Sequence, residues 1–141
     1  MGTSDNVARL KDVYARWNES KGADEKAWLD LMADNIRILS LAAGAPGVEF
    51  TKEVHSKDDL RRYFQGLRDD WQMIHYTPDH FIVDGERVSV LSTMNWRHRK
   101  TGREMKSPKA DFIRFQDGKI VEFYEFYDTA ALQAAMQPKN G

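Results

Sequence analysis

Apolar residues at Val7, Leu10, Val13, Tyr14 and Trp17 recur at steps of three and four, which predicts an amphipathic helix over 4–18 with Ser4 as its cap. Residues 20–22 break that helix, and Asp24 can cap a second, shorter one whose stripe is Ala27, Trp28, Leu31 and Met32. Residues 36–41 read as a strand. The stretch 41–47, holding Gly44, Pro46 and Gly47, reads as a flexible loop of the kind that borders a site. Ser56 and Asp59 stand at capping-box spacing, and Leu60, Tyr63, Phe64, Leu67 and Trp71 continue at helical steps, predicting a third helix that ends near 71.

From Met73 onward the apolar period drops toward two. Turn dipeptides at Asp84-Gly85, Thr101-Gly102 and Asp117-Gly118 divide the remainder into strands near 73–84, 86–99, 103–116 and 119–127, joined as a meander. The Ala- and Leu-rich segment 129–137 predicts a short C-terminal helix. Helices followed by an antiparallel meander make an α+β domain over 1–141, with three N-terminal helices covering one face of a curved antiparallel sheet. A bent sheet closed by helices leaves a cone-shaped interior, where a ligand is to be sought.

Composition narrows the reading. With 141 residues, 41% apolar and 30% charged, the chain suits one soluble core. The formal charge of −1 points to neither a nucleic acid nor a membrane surface as partner. Without cysteine there are no disulfides, thiolate metal sites or Cys nucleophiles. No apolar run approaches the ~18 residues of a membrane span, and the first dozen residues lack a signal peptide's apolar stretch, so a cytoplasmic protein is expected. Arg97, His98, Arg99, Lys100, Arg103, Lys106 and Lys109 make the 97–109 hairpin basic despite the neutral total. Exposed aromatics are not interleaved with this charge, so it reads as a solvated tip or an approach for an anionic ligand.

Aromatics crowd near the C-terminus, where Phe112, Phe115, Phe123, Tyr124, Phe126 and Tyr127 flank a single turn. The run Asp111-Phe-Ile-Arg-Phe-Gln-Asp-Gly-Lys-Ile-Val-Glu-Phe-Tyr-Glu-Phe-Tyr-Asp128 resembles the last two strands of the NTF2-like superfamily, above all its SnoaL-like and ketosteroid-isomerase-like branches. The order of elements extends the resemblance over nearly the whole chain. It implies a cystatin-like α+β barrel that pairs as a homodimer. It also implies a pocket used by isomerases, cyclases, dehydratases, epoxide hydrolases or plain binding modules.

In the isomerase-like branch, the acid that opens this motif corresponds to Asp111 and donates a hydrogen bond to a developing oxyanion, with Tyr14 as its partner on the first helix. Where that branch places its general base, this chain has Ser40, which argues against steroid-type isomerisation. The SnoaL-like branch is the closer match. Its acid, aromatic, acid and terminal Asp correspond to Glu122, Tyr124, Glu125 and Asp128.

Strand parity sorts the side chains. Asp111, Ile113 and Phe115 share one face, as do Val121, Phe123, Glu125 and Tyr127, and Val90, Ser92, Met94, Trp96 and His98. The expected cavity is lined by Met94, Trp96, Ile113, Phe115, Phe123 and Tyr127, with Asp111, Glu125 and Tyr14 or His75 as its polar groups. It suits a small hydrophobic molecule bearing a carbonyl, enol or hydroxyl. Two carboxyls in an apolar space do not both ionise easily, which leaves a proton donor beside an acceptor. Asp111 and Glu125 are thus the candidate acid/base pair, with Tyr14 and Tyr127 as orienting donors.

Alternatives stand beside each assignment. Lys109, two residues before Asp111, can neutralise it in an internal ion pair; Glu125 can be a rim carboxylate, and Tyr14 a core residue. His75 is either a pocket-edge base or an ordinary strand histidine, and its odd separation from His80 argues against a shared metal. Neither a metal nor a cofactor is expected. Two functions remain open: a cofactor-independent acid/base enzyme of isomerase, cyclase or dehydratase type, and a non-catalytic ligand-binding or sensing module. Glu122, Tyr124 and Phe126, with Leu91 and Thr93, form the outer face expected to pair a homodimer.

Overall fold

The computed structural model describes residues 2–138. Its helices begin where short polar side chains take up free backbone N–H groups. Asp24 accepts from Ala27 N to start α2 (Glu25–Leu31), and Ser56 accepts from Asp59 N to start α3 (Lys57–Asp70). The first helix departs from expectation. α1 spans Thr3–Glu19, its cap is Gly2 without a side-chain bond, and Ser4 lies inside the first turn.

Strand β1 (Met32–Ser40) leaves α2 directly, because Met32 is already extended. A 3-10 turn at Glu49–Thr51 precedes α3. The meander then runs through β2 (Trp71–Asp84), β3 (Arg87–His98), β4 (Glu104–Gln116) and β5 (Lys119–Tyr127), and α4 (Thr129–Met136) closes the described chain. At the β4–β5 turn, Asp117 and Gly118 both take positive φ (51° and 77°), the left-handed pair that a tight hairpin requires.

The sheet order is β1-β5-β4-β3-β2. The meander pairs are antiparallel, and β1 adds in parallel to β5. Residues of α1, α2 and α3, among them Leu10, Tyr14, Trp28 and Leu60, are buried in one core with Ile36, Val90, Phe115 and Ile120 of the sheet. The 3-10 turn lies tight on α3 at Gly66, where an added Cβ would sit 2.4 Å from Phe50 Cβ.

Edge strand β2 breaks register between Met73 and His75 and again between Pro78 and His80. The first bulge turns Tyr76 inward and leaves His75 exposed. His75 is therefore not a pocket-edge base. Among the described residues, no helix is long and apolar enough to cross a membrane.

Candidate functional site

Register places the central charges. Asp111 stands opposite Glu125 across β4 and β5, and Lys109 opposite Tyr127, so one inward face carries all four. Lys109 Nζ lies 3.1 Å from Asp111 Oδ1 and 2.9 Å from Glu125 Oε2 with its side chain only 10% exposed. The ammonium also sits over the rings of Tyr76 and Phe123, at 5.2 and 5.6 Å. The internal ion pair left open by the sequence is thus formed, and it takes in both carboxyls.

Tyrosines complete the cluster. From α1, Tyr14 donates its hydroxyl to Asp111 Oδ2 at 2.6 Å, and Tyr76 of β2 donates to the same oxygen at 3.1 Å. Tyr63 of α3 donates to Glu125 Oε1. The Tyr127 hydroxyl shares a 2.6 Å hydrogen bond with Ser40 Oγ at the end of β1.

Burial and neighbouring charge set the proton affinities. Burial pushes the Asp111 carboxyl above its ordinary value, against the pull of Lys109. Burial alone would lower Lys109, but Asp111 and Glu125 outweigh it and hold the ammonium well above the usual lysine value. Burial, reinforced by nearby carboxyls, also raises Tyr14, Tyr63 and Tyr76. Tyr127 is pushed up to about 12, chiefly by burial. All four phenols are therefore protonated donors at neutral pH.

The cluster borders a cavity of about 110 Å³ lined by all four tryptophans, Trp17, Trp28, Trp71 and Trp96. That is several times the ~10–15 Å³ one water needs. Its polar lining is Tyr63, Tyr76, Lys109, Glu125 and Tyr127, with Thr51 from the 3-10 turn. The site offers a proton acceptor, an ammonium and phenolic donors against an apolar wall. Among the described residues, no three His, Cys, Asp or Glu side chains are grouped to hold a metal ion.

A family model for the SnoaL-like domain matches residues 10–123. The chain belongs to the SnoaL-like family. A search of the curated proteins finds no match. Among solved structures, this SnoaL-like chain is similar to an NTF2-like protein from Burkholderia thailandensis E264, at 26% identity over 98% of this chain and 99% of that one, with a TM-score of 0.81. An NTF2-like protein from Burkholderia pseudomallei K96243 matches at 22% identity over 94% and 97%, with a TM-score of 0.83. TerC, co-crystallised with polyporic acid, matches at 17% identity over 92% and 96%, with a TM-score of 0.76.

Within the SnoaL-like fold, the expected site residues other than His75, which is exposed, divide into three groups. Met94, Trp96, Phe123, Glu125 and Tyr127 line the cavity. Asp111 and Tyr14 are fully buried in contact with one another, one layer behind the lining, so Asp111 reaches the cavity only through Lys109 and Tyr76. Ile113 and Phe115 are buried but do not line it. They lie further along β4 than Asp111, whereas the cavity lies toward Met105 and Lys109.

Four polar lining residues are not among those expected from the sequence: Lys109, Tyr63, Tyr76 and Thr51, the last on the 3-10 turn. Lys109 has the parity of Asp111 and, besides neutralising it, reaches the cavity wall. Tyr63 sat on the α3 stripe as an apparent core residue, and Tyr76 is inward only because of the bulge.

Proposed function

We propose that this SnoaL-like protein transfers protons on a small hydrophobic, oxygenated molecule without a cofactor, as an isomerase, cyclase or dehydratase does. The observation that carries this reading is the Tyr63–Glu125–Lys109 cluster at the wall of a cavity whose other lining, Thr51 apart, is aromatic and aliphatic. Glu125 takes a proton from the carbon beside a carbonyl, and the charge that develops on the carbonyl oxygen is met by the Lys109 ammonium or the Tyr127 hydroxyl. Return of the proton at another carbon gives an isomer; its return to a leaving hydroxyl gives dehydration. Asp111, with Tyr14 and Tyr76, holds Lys109 in place from behind. The likeness to TerC makes polyporic acid a natural first ligand to try.

A second reading has support of its own. Lys109 is ion-paired with both carboxyls from within the protein, as a pure binding or sensing pocket would require. Hydrophobic ketones that quench the cavity tryptophans separate the two. Turnover predicts catalysed exchange of the ketone's α-proton with deuterium oxide, lowered about 100-fold or more by Glu125→Gln. Binding at full strength with exchange at the buffer rate would establish the sensing module instead.

The outer face of the sheet supports the proposal of a homodimer. Phe112 and Phe126 pack edge to face at 5.6 Å, yet are 49% and 43% exposed, with Leu91 39% exposed.

A further inference from the structure

The cavity does not end at its tryptophans. Leu67, Trp71 and Trp96 also line an adjoining recess of about 160 Å³, whose other walls carry Lys21, Arg68 and Arg99. The two spaces differ in charge. The first is lined by one carboxyl, Glu125, and one ammonium, Lys109, whereas the second carries three cations.

Not all three cations are free. Arg68 is bonded to Glu25 and to Gln65. Lys21 forms no side-chain bond or ion pair among the described residues, and Arg99 uses only Nε, donating to Arg68 O at the C-terminus of α3. That bond, together with Arg99 N donating to Asp70 O, pins the guanidinium at the recess and leaves both terminal amino groups unpartnered among the described residues. The acidic residues nearest in sequence are Glu19, Asp24 and Glu25 beside Lys21, and Asp69 and Asp70 beside Arg68; Asp24 caps Ala27, Glu25 pairs with Arg68 and Asp69 accepts from Gln65. Trp71, 2% exposed and shared by both spaces, has an indole N–H without an acceptor. A buried donor without a partner carries a free-energy cost that an incoming acceptor relieves.

We propose that this recess is an anion subsite and that the ligand is an amphipathic carboxylate. Its apolar body lies among the tryptophans, and its carboxylate lies between Lys21 and Arg99. This rests on the proposed function and sharpens it. A carboxylate entering the other way would meet the Glu125 carboxyl at the cavity wall instead of a group of cations, so the electrostatics favour one orientation. That orientation directs the uncharged, oxygenated end toward Glu125 and Lys109.

The test is a matched pair of probes, 2-naphthylacetate and neutral 2-naphthylacetamide, titrated against tryptophan fluorescence. The wild-type protein is expected to bind the acetate about tenfold more tightly at low salt, the size of a charge-assisted contact. The preference should shrink as salt screens it. In Lys21→Gln/Arg99→Gln the two affinities should converge while that for the amide is unchanged, which also shows that the variant is folded. Equal affinities in the wild type, a preference that survives in the variant, or no binding of the acetate at millimolar concentration would each overturn the subsite. The proposed chemistry stands or falls separately, because proton exchange in a neutral ketone and its loss in Glu125→Gln need no anion.

Discussion

Replacing Lys109 with Met removes the one cation that the two central carboxyls share. Its Nζ is 3.1 Å from Asp111 and 2.9 Å from Glu125, and Asp111 is wholly buried. At ~3 Å and an effective dielectric of ~20, each contact has a gross Coulomb energy of about 5 kcal/mol, most of it offset by the cost of taking the ions out of water. Removing one member of such a cluster leaves uncompensated charge behind, so the expected loss of stability at neutral pH is about 3–5 kcal/mol. For a chain of this length, that lowers Tm by roughly 10–20 °C.

The loss also depends on pH. Burial already raises Asp111 in the folded protein, and the missing ammonium raises it further. Above the unfolded carboxyl value of about 4, the folded variant then keeps a proton that the unfolded chain releases. Its stability therefore falls as pH rises toward the folded value, by up to about 1.4 kcal/mol per pH unit for one proton. Lys109, whose own value is raised, contributes its full stability below about 10.4 in the wild type and so adds no slope between pH 5 and 8.

Urea unfolding at pH 5 and 7.5 should show the larger loss at 7.5, by at least about 1 kcal/mol. The triple variant Lys109→Met/Asp111→Asn/Glu125→Gln should recover most of it, because no buried charge remains. A loss below about 1 kcal/mol at pH 7.5, or an equal loss at both pH values, would refute the reasoning.

Three further variants probe separate features. Tyr14→Phe deletes the 2.6 Å bond to buried Asp111 and leaves Tyr76 as its remaining phenol partner, so chemical denaturation should register a loss of about 1–3 kcal/mol. Gly66→Ala would gain up to about 1 kcal/mol of helix propensity, but its Cβ would meet the Phe50 Cβ at 2.4 Å. Overpacking should win, for a net loss of about 1–2 kcal/mol seen in Tm and a changed affinity for any tryptophan-quenching ligand. Phe112→Glu/Phe126→Glu places charge on the exposed edge-to-face pair, and light scattering should report a monomer in place of the dimer proposed for the wild type. A wild type that is monomeric at micromolar concentration counts against pairing.

Periodicity made most of the fold legible, because helix and strand spacings differ and each turn carried Gly beside a polar residue. The capping sites at Asp24 and Ser56 were readable for the same local reason. By contrast, Gly2 caps α1 through the backbone alone and leaves no side-chain signature. The parallel pairing of β1 with β5 joins distant segments, Ser40 to Glu125 and Met32 to Ile120, and has no local signal.

Within the site, parity identified Glu125, Phe123, Tyr127, Met94 and Trp96. It could not tell a lining residue from one buried behind it, so Asp111, Ile113 and Phe115 were assigned to the cavity itself. It also failed across the bulge, since one unpaired residue near Ile74 exchanged the faces of His75 and Tyr76.

The register of β4 on β5 connects the site to its energetics. Asp111 and Glu125 are direct cross-strand partners, and like charges at such positions work against a sheet. Packing alone offers no reason for them, since apolar residues at both positions would continue the core around Ile113 and Phe123. The chain instead places Lys109 two residues along the same face and directs phenols from α1, α3 and β2 at the carboxyls. Each compensating group comes from a different element, so the cluster forms only once helices and sheet have closed around it. Four elements thus converge on keeping two buried carboxyls together, and Glu125, which lines the cavity, is the one of the two that the proposed chemistry uses.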